Sequence, residues 1–298
     1  MGYLFLCIAL LSGCSKGYCG KKTSHFTKGV SDAVLVNLVR MFFCCIIGAF
    51  VVFVERGSLD LSVGYRDLLI SVLSGVSLSG FVVFWLVAVK NGAYMTVDIS
   101  LTVGMLIPVV SSVILWGEAF RPTQIIGFII LLIAVVIMCS YNTQIKGGFS
   151  TLALVALVLM GVSNGVADFS QKMFVRLSEG TPVSVFNFYT YVFCTLTLAI
   201  VFAIMPKGDK ALFEISRKEK TTLFSYILLM SALMFVNTYF KTLAASRLDA
   251  VILYPLNQGG GLMLSCGMSA FIFKEKITRR AAFGIVLAFV SLLIINLL

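Results

Sequence analysis

The chain has 298 residues, of which 59% are hydrophobic and only 12% are charged, and its formal net charge is +10. A soluble domain typically carries about 25% charged residues, so this composition excludes an ordinary soluble protein. A polytopic membrane protein fits, because lipid solvates its apolar surface. The basic residues lie mostly in short gaps between apolar runs, where membrane proteins place them. We therefore expect a lipid bilayer around the chain and no nucleic-acid partner.

Ten apolar segments follow one another, each close to the roughly 20 residues that a bilayer core requires. The first lacks a basic n-region and a small-residue cleavage site, which predicts a transmembrane helix rather than a removed signal peptide. The connections are short, and the longest, around Pro206–Thr221, is predicted as a surface loop. The fold class is therefore an all-α polytopic protein of the cell membrane. The predicted segments are 2–21, 33–54, 67–89, 94–116, 122–141, 149–173, 183–205, 222–245, 250–273 and 279–297.

A repeated motif relates the two halves of the chain. Ser112–Glu118 is followed, nine residues after the glutamate, by Gly127, and Ser269–Glu275 is followed at the same distance by Gly284. One constant shift superposes the two copies without a gap. Four further pairs superpose at that shift: Ser74 on Ser231, Lys90 on Arg247, Ala93 on Ala250 and Gly104 on Gly261.

The early segments repeat at a slightly different shift. Leu11–Gly17 corresponds to Leu159–Gly165, and Ser31–Asn37 corresponds to Thr181–Asn187. Segments 1–5 are therefore predicted to repeat as segments 6–10, in halves covering residues 1–145 and 146–298. An odd number of spans per half forces the halves into opposite orientations. Many secondary transporters use such inverted repeats, with the substrate near the midplane between them.

These residues resemble the drug/metabolite transporter superfamily, EamA type, over essentially the whole chain. The resemblance implies a ten-helix transporter, with helices 1–4 and 6–9 around a central cavity and helices 5 and 10 at the periphery. The halves differ where a ligand would lie, since Asn164 replaces Lys16 and Thr190 replaces Arg40 in the second half. The residues that carry the resemblance are Gly13 and Ser15, Gly161 and Ser163, Arg40, and the pairs Glu118/Gly127 and Glu275/Gly284.

Glycines four residues apart predict close helix packing. Gly13 with Gly17, and Gly161 with Gly165, are small-x-x-x-small pairs, which let helix backbones approach each other. Glu118 and Glu275 fall where one segment ends and the next begins, just before the helix-start residues Pro122 and Thr278. A carboxylate near a helix N-terminus is favourable by roughly 0.3–1 kcal/mol. We expect these glutamates to be structural anchors.

The ninth segment contains the most helix-breaking stretch, Asn257–Gly261, just after Pro255. Glycine is unfavourable in a helix interior by roughly 1 kcal/mol relative to alanine, and proline removes a backbone hydrogen bond. Two interpretations stay open. Either the helix breaks near the midplane and frees carbonyl groups for a substrate or ion, or it only kinks.

Polar residues inside the segments are the binding candidates, since a charge there is unfavourable by roughly 2.5–3.5 kcal/mol. Asp168 and Lys172 lie four residues apart and are predicted to pair with each other, or Lys172 extends to the headgroup region. Asp98 either pairs with a cation such as Lys241 or Arg40, or titrates as a proton-coupling group. The predicted substrate-binding residues are Lys16, Arg40, Trp85, Tyr94, Asp98, Asn187, Tyr189, Asn237, Lys241, Asn257 and Gln258.

Cations outnumber acids among these candidates. This predicts a secondary active transporter for a small organic anion or zwitterion, such as an amino acid, since arginine offers a bidentate fork to carboxylates. The alternatives are an exporter of cationic or amphipathic drugs and a non-transporting scaffold or receptor.

Other functional classes lack support in the sequence. The single histidine, His25, has no catalytic context, and no Walker A motif is present. We therefore expect neither an enzyme nor an ATP-driven pump, and neither a cofactor nor a metal. Two fused halves make a monomer sufficient, and a proton is the candidate coupling ion. Membrane orientation stays open, because the charge tally of the connections places both termini outside, whereas the resemblance implies cytoplasmic termini.

Overall fold

The computed structural model describes residues 1–23, 26, 29–90, 97–119, 121–139, 151–205, 216–272 and 279–297. Within these ranges the chain is helical and contains no β-strand. The helices are α1 (Gly2–Thr23), α2 (Val30–Arg56), α3 (Tyr65–Lys90), α4 (Val97–Gly104), α5 (Leu106–Trp116), α6 (Pro122–Cys139), α7 (Thr151–Leu177), α8 (Val183–Ile204), α9 (Arg217–Ala245), α10 (Ala250–Phe271) and α11 (Arg279–Leu297).

Seven stretches of these helices are long and apolar enough to cross a membrane, and α4 and α5 together supply one of them. Large apolar side chains also lie on the outer surface. Phe50, Ile114, Ile200 and Phe283 are each at least 60% exposed. Exposed apolar surface on this scale marks contact with lipid or a partner, and the helix lengths point to lipid. The prediction of a helical fold is confirmed for the described residues, and the seven apolar stretches are compatible with a polytopic membrane protein.

The fourth predicted segment consists of two helices rather than one. Met105 separates α4 from α5 and keeps a helical backbone, with its N–H donating to the Leu101 carbonyl at 3.1 Å. Pro108 lacks an N–H and cannot donate to the carbonyl of Gly104, four residues earlier. The missing hydrogen bond explains why the helix is interrupted at this point.

Of the two interpretations of Asn257–Gly261, the break is wrong, because α10 runs continuously from Ala250 to Phe271. A Cβ atom built on Gly259 would lie 3.1 Å from the Leu292 side chain, and one on Gly260 would lie 3.3 Å from Leu10. These glycines therefore pack α10 closely against α11 and α1. Close packing offsets the low helix propensity of glycine.

Helix α9 begins earlier than its predicted segment. Ser216 and Glu219 form a capping box, in which each side chain accepts a hydrogen bond from the other residue's backbone N–H. The second part of the predicted Pro206–Thr221 loop is therefore helical from Arg217. The first part, residues 206–215, lies outside the described residues.

The helices pair in a regular pattern. Helix α1 packs mainly against α9 and also against α10, while α7 packs mainly against α3 and also against α4 and α5. Helix α2 packs against α8 and α9, and α8 packs against α3 as well. Helices α6 and α11 pack against each other, and α11 also packs against α10. We call α1, α2, α9 and α10 the first helix group, and α3, α4, α5, α7 and α8 the second.

Glycines make a close helix crossing between α4 and α7. A Cβ atom on Gly104 would overlap the carbonyl oxygen of Gly161, and one on Gly165 would overlap the carbonyl oxygen of Gly104. The Ser100 hydroxyl also donates across this crossing to the Leu157 carbonyl. Gly161 and Gly165, which were predicted to pack closely, both lie at this crossing. No neighbouring atom lies within 4 Å of a Cβ built on Gly17, so that glycine is not required by packing.

Candidate functional site

Cations from three separate helices interact electrostatically inside the helical bundle. Lys16 of α1 lies within electrostatic range of Arg40 of α2 and Lys241 of α9. All three residues are partly buried. We call them the cation cluster. Sequence reasoning proposed each of them, and the structure brings them together.

Two members of the cation cluster have no acidic partner. Among the described residues, no carboxylate lies within 4 Å of Lys16 or Arg40. The Nε of Arg40 is buried and has no hydrogen-bond partner in the described part of the chain. Cys44, Cys194 and Tyr191 surround this guanidinium. A buried donor without a partner carries a desolvation penalty of about 1–3 kcal/mol, and more when it is charged, so an anion bound here would be stabilised.

Lys241 does have a partner, and that partner is Asp168 of α7. The Lys241 Nζ lies 2.6 Å from Asp168 Oδ1, and the two side chains are only 13% and 7% exposed. The hydroxyl of Tyr254 donates to the Asp168 backbone carbonyl at 2.7 Å. These contacts join the two helix groups, since Lys241 and Tyr254 belong to the first group and Asp168 to the second.

Lys172 is paired with Glu118, so the predicted Asp168–Lys172 pair is wrong. Lys172 Nζ lies 2.9 Å from Glu118 Oε1, and the side chains are 1% and 2% exposed. The same ammonium donates to the carbonyls of Leu248 at 2.8 Å and Ala245 at 3.3 Å. The alternative prediction, that Lys172 extends to the headgroup region, is also wrong. Carbonyl groups of the α9–α10 connection hold it inside the protein.

Glu118 anchors a helix start, but not the one just after it in sequence. Its Oε2 accepts from the backbone N–H of Ala250 at 2.7 Å, at the first residue of α10. Arg176 Nη2 donates to Oε1 at 2.7 Å. Burial raises the pKa of Glu118, but the hydrogen bonds from Arg176 and Lys172 and the charge of Lys172 outweigh it, so the pKa lies below its usual value. The carboxylate therefore stays ionised and ties the second helix group to the start of α10.

Two predicted binding residues have different surroundings from the cation cluster. Asn237 donates from Nδ2 to the Ala9 carbonyl at 2.6 Å and touches Gly13, so it joins α9 to α1. Asn187 is fully buried in α8, and neither end of its amide has a partner among the described residues. Asn187 thus offers one donor and one acceptor inside the bundle.

The remaining predicted residues are spread over the molecule. The Tyr189 hydroxyl donates to the Leu61 carbonyl at 3.0 Å, so it contacts the α2–α3 connection. Trp85 of α3 is partly buried and packs against two apolar clusters that several helices form. Asn257 and Gln258 are partly buried in α10. Tyr94, Glu275 and Thr278 lie outside the described residues, as does the side chain of Asp98, and the positions of these residues are not interpreted.

Some contributors were missed from the sequence. Tyr254 and Arg176 were not singled out, and Asp168 was assigned the wrong partner. Tyr254 lies one residue before Pro255 in α10, and its sequence neighbours give no sign of a contact with Asp168. The only sequence signal for these contacts is the presence of polar groups inside apolar segments, and this signal names residues without naming their partners.

Comparisons with known proteins identify the fold alone. No family model matches the sequence, and no curated protein does so. A crystal structure of another protein superposes on this chain with a TM-score of 0.79, covering 99% of this chain and 96% of that chain. The two sequences are 16% identical. The chain therefore shares its fold with a solved structure.

Proposed function

We propose that the protein is a ten-helix secondary transporter of the drug/metabolite transporter type, which moves a small organic anion or zwitterion across the cell membrane. Its halves, residues 1–145 and 146–298, are inverted five-helix repeats in this proposal. The ten spans comprise the seven candidate stretches, the shorter apolar helices Pro122–Ile137 and Ala282–Asn296, and α10.

The helix pairing supports inverted repeats. We count α4 and α5 together as the fourth span. If each of spans 1–5 is then exchanged for its counterpart among spans 6–10, every main contact between helices becomes an observed contact. The α1–α9 contact becomes α7–α3, and the α1–α10 contact becomes the packing of α7 on the fourth span. The α2–α8 and α6–α11 pairs convert into themselves. An internal two-fold axis that relates the halves would produce this exchange of contacts.

Equivalent residues make equivalent contacts, which supports the same interpretation. Gly104 meets the backbone of Gly161. Their counterparts Gly261 and Gly13 lie at the contact between α10 and α1, where the thiol of Cys14 is 3.8 Å from the Gly261 carbonyl oxygen. A second example involves Ser231, whose hydroxyl donates to the Arg40 carbonyl at 3.0 Å. The counterparts of Ser231 and Arg40 are Ser74 and Thr190. A Cβ atom built on Gly75, the residue after Ser74, would overlap the carbonyl oxygen of Thr190, so the same two helix positions are in contact again.

The cation cluster is the observation that carries the choice of substrate. Charged groups inside a membrane-spanning bundle mark substrate pathways or paired networks, and two members of this cluster have no acidic partner among the described residues. A positive site favours an anion or the carboxylate of a zwitterion. It disfavours a cationic drug, because like charges repel at short range in a medium of low dielectric constant.

Replacing Arg40 by Ala tests the proposal. We expect the Arg40→Ala variant to lose about ten-fold or more of its uptake of any anion that the protein transports, because a hydrogen bond to a charged group contributes about 1.5–3 kcal/mol. The measurement is uptake of labelled compound into liposomes that contain purified protein, after a thermal-shift screen of amino acids, organic acids, nucleobases and cationic drugs.

The matched control is Arg66→Ala, which removes an exposed cation paired with Glu179 on the surface. Its uptake should equal that of the unmodified protein. Uptake that is unchanged in the Arg40→Ala variant would contradict the assigned role of the cation cluster.

A further inference from the structure

The balance of charge around the cation cluster carries information about the substrate. Lys16, Arg40 and Lys241 supply three positive charges, and Asp168 neutralises Lys241 at 2.6 Å. Two positive charges are thus left without a carboxylate in contact among the described residues. Asp32 does not supply one, because it lies eight residues before Arg40, about 12 Å along α2, and forms no ion pair within the described ranges.

Unmatched charge of this kind is unfavourable between membrane-spanning helices. A bound ligand with two negative charges would match it, whereas a monoanion would leave one cation unpaired and a zwitterion would leave two. Arg40 also has an unpartnered buried Nε. A carboxylate or phosphate group can accept from the Nε and a terminal nitrogen of one guanidinium together.

We infer that the cation cluster binds a small dianion, a dicarboxylate or a phosphate monoester, with one acidic group on Arg40 and negative charge near Lys16. The inference rests on the proposed transport function and narrows its substrate class. Asp168 has a positioning role in this arrangement. It holds Lys241, so that Lys241 does not supply a third unmatched charge, and the described residues of the site keep an excess of two positive charges.

Uptake of four labelled probes into liposomes at neutral pH tests the inference. Succinate is a dianion, butyrate a monoanion and 4-aminobutyrate a zwitterion without net charge, and these three share a four-carbon chain. Glycerol 3-phosphate is the second dianion and distinguishes a phosphate from a second carboxylate. At least one dianion should be taken up about ten-fold faster than butyrate and 4-aminobutyrate.

Variants make the test independent of protein yield. Lys16→Gln should lower the ratio of dianion to butyrate uptake about ten-fold, and Arg40→Gln should do the same. Arg66→Gln, on the exposed surface, should leave the ratio unchanged. Poor folding of a variant lowers both uptake rates but leaves their ratio unchanged. An unchanged ratio in Lys16→Gln and Arg40→Gln would therefore overturn the assignment.

The failure of the inference differs from the failure of the proposed function. Uptake of butyrate or 4-aminobutyrate at the rate of the dianions would overturn the inference and leave transport standing. Absence of uptake for both dianions would overturn it as well. Transport itself is judged by exchange of any compound from the wider screen.

Discussion

The Glu118→Gln variant is expected to be destabilised by about 3–5 kcal/mol, because removal of one partner from a buried ion pair leaves the other charge uncompensated. Glutamine matches glutamate in shape, but its amide has one acceptor oxygen, so it cannot accept both from the Ala250 N–H and from the cations that contact Oε1. The loss comes mainly from Lys172, which is only 1% exposed and would keep a buried charge without a carboxylate. The measurement is the unfolding midpoint of purified protein in detergent.

A matched control separates this effect from the general loss of an ion pair. Glu179 is 87% exposed beside Arg66, and exposed pairs contribute about 0–1 kcal/mol. Glu179→Gln should therefore leave the midpoint nearly unchanged. If Glu118→Gln were as mild as Glu179→Gln, Glu118 would not be the anchor that the geometry describes.

The stability that Glu118 contributes should depend on pH in a defined direction. Its folded-state pKa lies below the ordinary value of 4.5. A depressed carboxyl pKa stabilises the folded state at pH values above the unfolded pKa, and this contribution is lost as the pH falls through the folded-state pKa. The difference in stability between the unmodified protein and Glu118→Gln should therefore shrink below about pH 4.5. A difference that grew on acidification would contradict the assignment.

Single replacements at the Asp168–Lys241 pair should also destabilise by about 3–5 kcal/mol, and the double replacement should be much milder. Asp168→Asn leaves Lys241 unmatched, and Lys241→Met leaves Asp168 unmatched. The double variant Asp168→Asn/Lys241→Met leaves no buried charge at this pair. A double-mutant cycle of unfolding free energies should give a coupling energy of about 3 kcal/mol or more between the two residues, because the double variant loses less stability than either single variant.

The cycle discriminates between a direct pair and two independent residues. Additive effects of the two single variants would show that the 2.6 Å contact does not couple them. The same double variant should still insert and fold, since its neutral side chains have similar volumes.

The sequence is informative about the helices because apolar run length is a local property. The seventh predicted segment, 183–205, corresponds to Val183–Ile204, and the predicted start of the fifth at Pro122 is the observed one. The site of the helix interruption could not be predicted in the same way. The interruption at Met105 follows from one missing donor at Pro108, whereas the glycine run in α10 stays helical because neighbouring side chains pack onto it.

Pairing between charged residues depends on tertiary packing, and one sequence does not reveal it. Asp168 and Lys172 lie one turn apart, and local spacing favours their contact. Their observed partners are instead Lys241, 73 residues from Asp168, and Glu118, 54 residues from Lys172. Each partner becomes available only when α7 is placed between α5 and α9. The candidate cations were therefore predictable as residues, while their cluster was not.

Counterflow in proteoliposomes tests the central claim most directly. Liposomes that contain the protein are loaded with one unlabelled compound and diluted into a trace of the same compound in labelled form. A carrier predicts that at least one organic anion or zwitterion accumulates transiently above its equilibrium level, and that Arg40→Ala abolishes this accumulation. No accumulation for any compound of the screen, or accumulation of cationic drugs alone, would contradict the account.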